Sequence, residues 1–187
     1  GIENDRDCIG VFSRAWPEVR HLGDLDKVRD QELGDLFLRF PRIRKGLAIG
    51  GFPCQPFSAL NAYRTGFDDP RGGLLLKMIE LIWRLKELVP TIQWDDMEEN
   101  VASMLPADRA EITSQLSELH DHPPIRADGA SFGWINRPRL YWPSWEVQGS
   151  VATHKDVREW QLSFQLPDIE IPLSEKFIEQ RRTQLGG

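Results

Sequence analysis

Cysteine is scarce in this chain: 187 residues carry two, Cys8 and Cys54. Two thiols do not make a disulfide framework, and their scarcity fits a reducing, intracellular compartment. Metal-ligand pairs are also missing from the pattern. The four histidines (21, 120, 122 and 154) and the two cysteines show no paired ligand spacing. His120-x-His122 comes closest and reads as a solvated loop ahead of Pro123-Pro124, so no metal is expected. No apolar run is long enough to span a membrane, and no signal-peptide pattern opens the chain. Positive charge is in deficit, with a formal net charge of −6. Bulk charge therefore gives no nucleic-acid signal, although a local basic groove stays compatible with it. Internal repeats and low-complexity tracts are absent too. The chain begins Gly1-Ile2-Glu3 rather than with Met, which fits a fragment or a processed piece.

What is present suffices for a core. Hydrophobic residues make up 40%, with seven Trp and nine Phe, and the length suits one domain. Cys8, Val11, Phe12 and Ala15 share one helical face that stops at Pro17. "VRHL" (19–22) reads as a short strand before the Gly23-Asp24 turn. Leu33, Leu36, Phe37 and Phe40 repeat the helical spacing up to Pro41, and Arg39, Arg42, Arg44 and Lys45 behind them read as a solvated basic loop. "GLAIGG" (46–51) reads as a buried strand. Leu75, Met78, Ile79, Ile82, Leu85 and Val89 form the strongest apolar stripe, opposite Lys77, Glu80, Arg84 and Glu87, with Glu80 and Arg84 spaced to pair. Pro90 ends it. "TIQW" (91–94) reads as a strand. Asp108-x-x-Glu111 has the form of a capping box opening a helix with Ile112, Leu116 and Leu119 inward. "RLYW" (139–142) reads as a strand, 162–173 as extended and 174–184 as a short helix. The alternation predicts an α/β sheet with helices on both faces.

The stretch Gly50-Gly51-Phe52-Pro53-Cys54-Gln55-Pro56-Phe57-Ser58 stands out. It follows a predicted strand at its carboxyl end, where ligands bind in open α/β sheets. Pro53 fixes φ and removes an N–H, so the Cys54 backbone has few conformations and a nucleophile would be positioned at low entropic cost. By itself the stretch is equally well a structural turn. It is followed, however, by "TGFDDPRGGLL" (65–75), "MEENVASM" (97–104) and "NRPRLYW" (136–142), in that order.

Taken together, these segments resemble the DNA (cytosine-5-)methyltransferases. Gly51 to Ser58 is similar to the family's nucleophile motif and Gly66 to Leu74 to the motif after it. Glu99-Asn100-Val101 matches the family's Glu-Asn-Val, and Arg137-Pro138-Arg139 resembles its Arg-x-Arg. The resemblance runs from about residue 1 to about 143. It implies a truncated Rossmann-like S-adenosylmethionine-dependent sheet, with 1–145 a partial catalytic domain and 146–187 an extension of unassigned fold.

It also implies a chemistry that suits the residues. Cytosine carbon 5 is a poor nucleophile. A thiolate adding at carbon 6 makes the ring enamine-like at carbon 5, which splits one hard step into easier ones. Cys54 would supply the thiolate. Glu99 would meet ring nitrogen 3, a role that favours a carboxyl in a dry pocket. Arg139 would grip the cytosine carbonyl, and Arg137 would orient Glu99 or the thiol loop. Gln55, Ser58, Asn61, Arg64 and Asn100 are the implied substrate contacts. For S-adenosylmethionine, Glu3 would take the ribose hydroxyls and Asp24 the adenine amine, with Leu25, Pro53 and Leu74 lining the pocket. Arg71 reads as a structural salt bridge. The implied partner is DNA with its cytosine flipped out of the duplex. A tRNA cytosine methyltransferase, making RNA the partner, and an inactive DNA-binding or scaffold relic stay open as alternatives. No membrane partner is expected, and the oligomeric state is not indicated.

The family's Phe-x-Gly-x-Gly loop would precede Glu3. Its Gly-Asn-Ser-Val segment and its target-recognition region find no match in 145–187. Ile135-Asn136 stands where the family prefers Gln, and Gln93-Trp94-Asp95-Asp96 where it keeps an apolar strand. The isolated chain is accordingly expected to bind S-adenosylmethionine weakly or not at all.

Overall fold

In a computed structural model, residues 1–131 and 136–147 are described, all within one compact unit, 1–151. The extended segment expected at 162–173, the helix at 174–184 and nearly all of the 146–187 extension lie outside the described residues.

Helix α1 spans Arg6–Ala15, and the Asp5 carboxylate caps it by accepting from the N–H groups of Asp7 and Cys8. None of its residues is buried. The expected strand at 19–22 does not form. Its pairing with the N-terminus stops at three hydrogen bonds, Leu22 N–H to Gly1 C=O, Glu3 N–H to Gly23 C=O and the Gly1 amino group to Arg20 C=O, too few for a ladder. Helix α2 covers Asp30–Leu38 and leaves Phe40 beyond its end. Helix α3 runs Leu74–Leu88, as its apolar stripe predicts. Arg84, however, pairs with Asp30 and the Val28 carbonyl rather than with Glu80, which ties α3 to the segment leading into α2. Helix α4, Pro106–Leu116, has Leu105 at its N-cap and Pro106 in the first turn. Asp108 therefore lies inside the helix and is not a cap, because a proline at the first helical position already suits the start.

The strands are β1 (Lys45–Gly51), β2 (Gln93–Val101), β3 (Ile125–Asp128) and β4 (Pro138–Pro143), in the sheet order β1-β2-β4-β3. Strands β1 and β2 are parallel and joined through α3; the other two pairings are antiparallel. The chain thus has the expected α/β architecture. Two strands differ from the reading. Strand β2 reaches far beyond residue 94. Strand β1 is an edge strand among the described residues and not a buried one, with Leu47 54% and Ile49 60% exposed.

Two clusters form the core. The first joins α3 and α4 to the sheet through Phe52, Phe57, Leu75, Ile79, Val101, Ile112, Leu116, Leu140 and Trp142. Burying each such side chain stabilises the fold by about 1.5–3 kcal/mol. Trp142 is wholly buried, and its indole N–H donates to Thr113 Oγ1 at 3.0 Å, so its one polar atom is satisfied. The second cluster gathers Val28, Leu33, Leu81 and Leu85, with Leu25, Phe37 and Trp94 against it.

Candidate active site

The loop after β1 is held by its own backbone. Cys54 C=O accepts from Phe57 N–H at 3.0 Å and Ser58 N–H at 2.8 Å, which turns the chain directly after the thiol. Phe57 is fully buried and packs edge-on against Phe52 (5.7 Å) and Phe67 (5.4 Å), anchoring the turn. Gly66 N–H closes the loop onto Pro56 C=O at 3.0 Å. Its φ of +56° is left-handed, and a Cβ there would lie 2.6 Å from Asp108 Oδ1, so glycine is required. Asn61 bridges the loop, donating to Gln55 C=O and accepting from Tyr63 N–H. Asp69 and Arg71 form a two-toothed ion pair after it, which holds the Asp69 carboxyl down at about 2. This is the steadying role expected of Arg71.

The Cys54 thiol is free and half-buried against the first cluster. Cys8, by contrast, is exposed beside Asp5, whose negative charge pushes that thiol upward and away from the thiolate.

Glu99 and Arg139 meet on the neighbouring strands. Glu99 opposes Gly51 on β1 and Tyr141 on β4, while Arg139 opposes Val101. That register puts Glu99 and Arg139 on one face as diagonal neighbours, and Arg139 Nε reaches Glu99 Oε1 at 2.6 Å. Gly51 leaves the space: a Cβ there would come 2.8 Å from Glu99 Oε2. Parallel pairing of β1 with β2 brings the start of the thiol loop and Glu99 to the same ends of adjacent strands.

Several expected contacts are placed differently. Arg137 precedes β4, is exposed, and uses its backbone N–H on Asp128 Oδ1. Arg139, not Arg137, is therefore the arginine that holds Glu99. Asn100 is 1% exposed, so it cannot face a substrate. Its amide donates to Phe52 C=O at 3.1 Å and accepts from Val101 N–H at 2.8 Å, bracing β2 against the thiol loop. Ser58 is buried with its hydroxyl on Leu60 N–H. Arg64 donates to Ser103 C=O at 3.1 Å. Gln55 and the loop tip face outward, with Leu60 98% and Tyr63 87% exposed.

Among the residues expected to hold the methyl donor, Glu3 Oε1 accepts from the N–H groups of Asn4 and Asp5 at 2.8 Å. Its second oxygen has no protein partner among the described residues. Asp24 caps a short 3₁₀ turn through Asp26 N–H and pairs with Lys27 at 3.6 Å. Leu25 lies on the second cluster, and Pro53 and Leu74 are half-buried.

Two features escaped the sequence reading. Ser103 clamps the thiol loop, its hydroxyl accepting from Ala59 N–H while its carbonyl takes Arg64. Four residues after Glu99, it carries no local signal of that contact. His120 does not sit in a solvated loop. Its side chain is 4% exposed, and Nε2 lies 3.7 Å from Asp96 Oδ2 and 3.5 Å from Glu98 Oε2, both carboxylates being fully buried. Burial, with Asp96 nearby, pushes the Glu98 carboxyl above the usual range.

Comparison with known proteins adds to this geometry. The family model of C-5 cytosine-specific DNA methylases matches residues 1–121. The chain is similar to a type II methyltransferase, M2.BsuMI, of Bacillus subtilis (33% identity, covering 63% of this chain and 28% of that protein). It is also similar to a protein of Escherichia phage P1 named a DNA N-6-adenine-methyltransferase (27% identity, 81% of this chain and 21% of that protein). A solved DNA modification methyltransferase encoded within an E. coli prophage aligns with a TM-score of 0.47 at 21% identity, over 76% of this chain and 38% of that one. The chain spans well under half the length of each of these proteins.

Proposed function

Because the chain belongs to the C-5 cytosine-specific DNA methylase family, we propose that it carries the thiol, acid and arginine of a cytosine-5 methyl transfer to DNA. Cys54 is the nucleophile. Its thiolate adds to carbon 6 of a cytosine flipped from the duplex, and the electron pair displaced from the 5,6 double bond makes carbon 5 reactive. Glu99 faces ring nitrogen 3, where charge develops on addition. Arg139 fixes the Glu99 carboxyl, so the acid meets the base in one orientation. Once carbon 5 has taken the methyl, loss of its proton to solvent expels the Cys54 thiolate and restores the ring.

The methyl donor is S-adenosylmethionine, which supplies an electrophilic methyl when bound. Glu3 fits a diol-binding role through its second carboxylate oxygen, and Pro53 and Leu74 offer half-buried apolar surface near the thiol loop. Asp24 fits less well, since both of its oxygens are engaged by Asp26 N–H and Lys27.

One observation carries this reading: the parallel β1–β2 register delivers the Cys54 loop and the Glu99–Arg139 pair to the same ends of adjacent strands. The chemistry also favours carbon 5 of cytosine over the exocyclic amine of adenine. An amine carries its own lone pair and needs no thiol, whereas carbon 5 must be activated covalently. Product analysis tests the proposal. The whole gene product, given S-adenosylmethionine, should place 5-methylcytosine in duplex DNA; N6-methyladenine there, or 5-methylcytosine confined to tRNA, would refute it.

A further inference from the structure

On the buried face of β2 lies a group of side chains that the proposed reaction does not use. Asp96 and Glu98 alternate on β2, so both point to the same buried face, and neither shows any exposed surface. His120, just beyond α4, inserts its imidazole towards both. Asp96 Oδ2, both Glu98 carboxylate oxygens and both His120 ring nitrogens are buried without a hydrogen-bond partner. Leaving so many buried polar atoms unpaired is costly, which calls for something that joins them.

The distances indicate what does. Direct hydrogen bonds between these groups would be about 2.7–3.2 Å long, yet Nε2 stands 3.5 Å and 3.7 Å from the carboxylate oxygens. Donors held tetrahedrally around a dication, each about 2.0–2.2 Å from it, lie roughly 3.3–3.6 Å apart. One ligand atom from each of Asp96, Glu98 and His120 falls within 4.8 Å of the others. Lys86 Nζ binds Asp96 through Oδ1 at 3.1 Å, which leaves Oδ2 for the shared centre and orients the carboxylate. His120 also lines a cleft of about 500 Å³ between α4 and the following loop.

We propose that Asp96 Oδ2, Glu98 Oε2 and His120 Nε2 form a binding site for a divalent first-row transition cation, zinc best suiting one imidazole and two carboxylates. The ion would pin the chain after α4 to β2, immediately before Glu99 and Asn100. It acts as a structural clamp and takes no part in the chemistry proposed above.

The test uses the full chain, stripped with a chelator and titrated with Zn²⁺ and, separately, Mg²⁺. Zinc should bind one to one and raise the Tm by about 5 °C or more, with Mg²⁺ at the same concentration having little effect. Glu98→Gln and His120→Gln should each weaken zinc binding at least tenfold, while His122→Gln, on the adjacent stacked ring, should not. Zinc-edge X-ray absorption on the native chain, which needs no variant to fold, should show nitrogen and oxygen donors and no sulfur. A sulfur donor, unchanged zinc affinity in both folded variants, or no stoichiometric zinc binding to the native chain would each overturn the proposal.

Discussion

Arg139 Nε lies 2.6 Å from Glu99 Oε1, across one inter-strand step and on the same face of the sheet. The arginine engages a side chain of its own protein, so in the proposed reaction it acts through the acid. Arg137 makes no such approach. Removing Arg139 therefore loosens Glu99 without touching the thiol. We expect Arg139→Ala to lower kcat roughly 100-fold, the order that a misplacement of about 1 Å costs. Arg139→Lys should recover only part, since an ammonium lacks the planar fork, and Arg137→Ala should cost less than Arg139→Ala. Steady-state methylation kinetics of the three variants check this ranking.

Gly51 bears on the same carboxyl from β1. A methyl at this position meets Glu99 Oε2 at 2.8 Å, and the flexible end of Glu99 is what must yield. Gly51→Ala should leave the unfolding free energy within about 0.5 kcal/mol of the parent while lowering methyl transfer at least tenfold. Unchanged turnover would show that the Glu99 position is immaterial.

Asn100 acts on stability. Its amide satisfies the Phe52 carbonyl and the Val101 N–H in a fully buried setting. Asn100→Ala should lower unfolding free energy by about 1–3 kcal/mol, the cost of leaving such groups unpaired. Asn100→Asp keeps the acceptor and loses the donor, and it introduces a buried charge, so it should also destabilise. Urea denaturation measures both.

The two thiols can be separated by charge. Asp5 raises the Cys8 thiol, so less of Cys8 is thiolate at neutral pH than in an ordinary cysteine. Asp5→Asn removes the charge and keeps a capping side chain. It should lower that titration and speed alkylation of Cys8 at pH 7 without changing the rate at Cys54. Mass-spectrometric peptide mapping over time reads each site.

The helices were legible where apolar spacing was strict. The stripe from Leu75 to Val89 gave α3, Leu74–Leu88, to within one residue at each end. Strand β2 was not legible past Trp94, because the polar residues Asp96, Glu98 and Asn100 occupy its buried face and leave no apolar alternation. Only the tertiary placement of His120 and Lys86 explains acids there. Strand β3 is four residues long and has no pattern of its own. At the site, local motifs singled out Cys54, Glu99 and Arg139 as candidates. They could not tell which arginine reaches the acid, because that depends on the β2–β4 register, nor that Asn100 points inward. The Ser103 clamp spans 44 residues to Ala59, a separation at which sequence spacing carries no information.

The most direct test of the account is covalent capture. The whole gene product, incubated with S-adenosylmethionine and a duplex carrying 5-fluorocytosine at its target, should form a complex stable to denaturation, because fluorine at carbon 5 blocks the final elimination. Peptide mapping should find the nucleotide on Cys54, and Cys54→Ser should abolish the complex. An adduct on Cys8, or a complex of equal yield in Cys54→Ser, would contradict the assignment of Cys54 as the nucleophile.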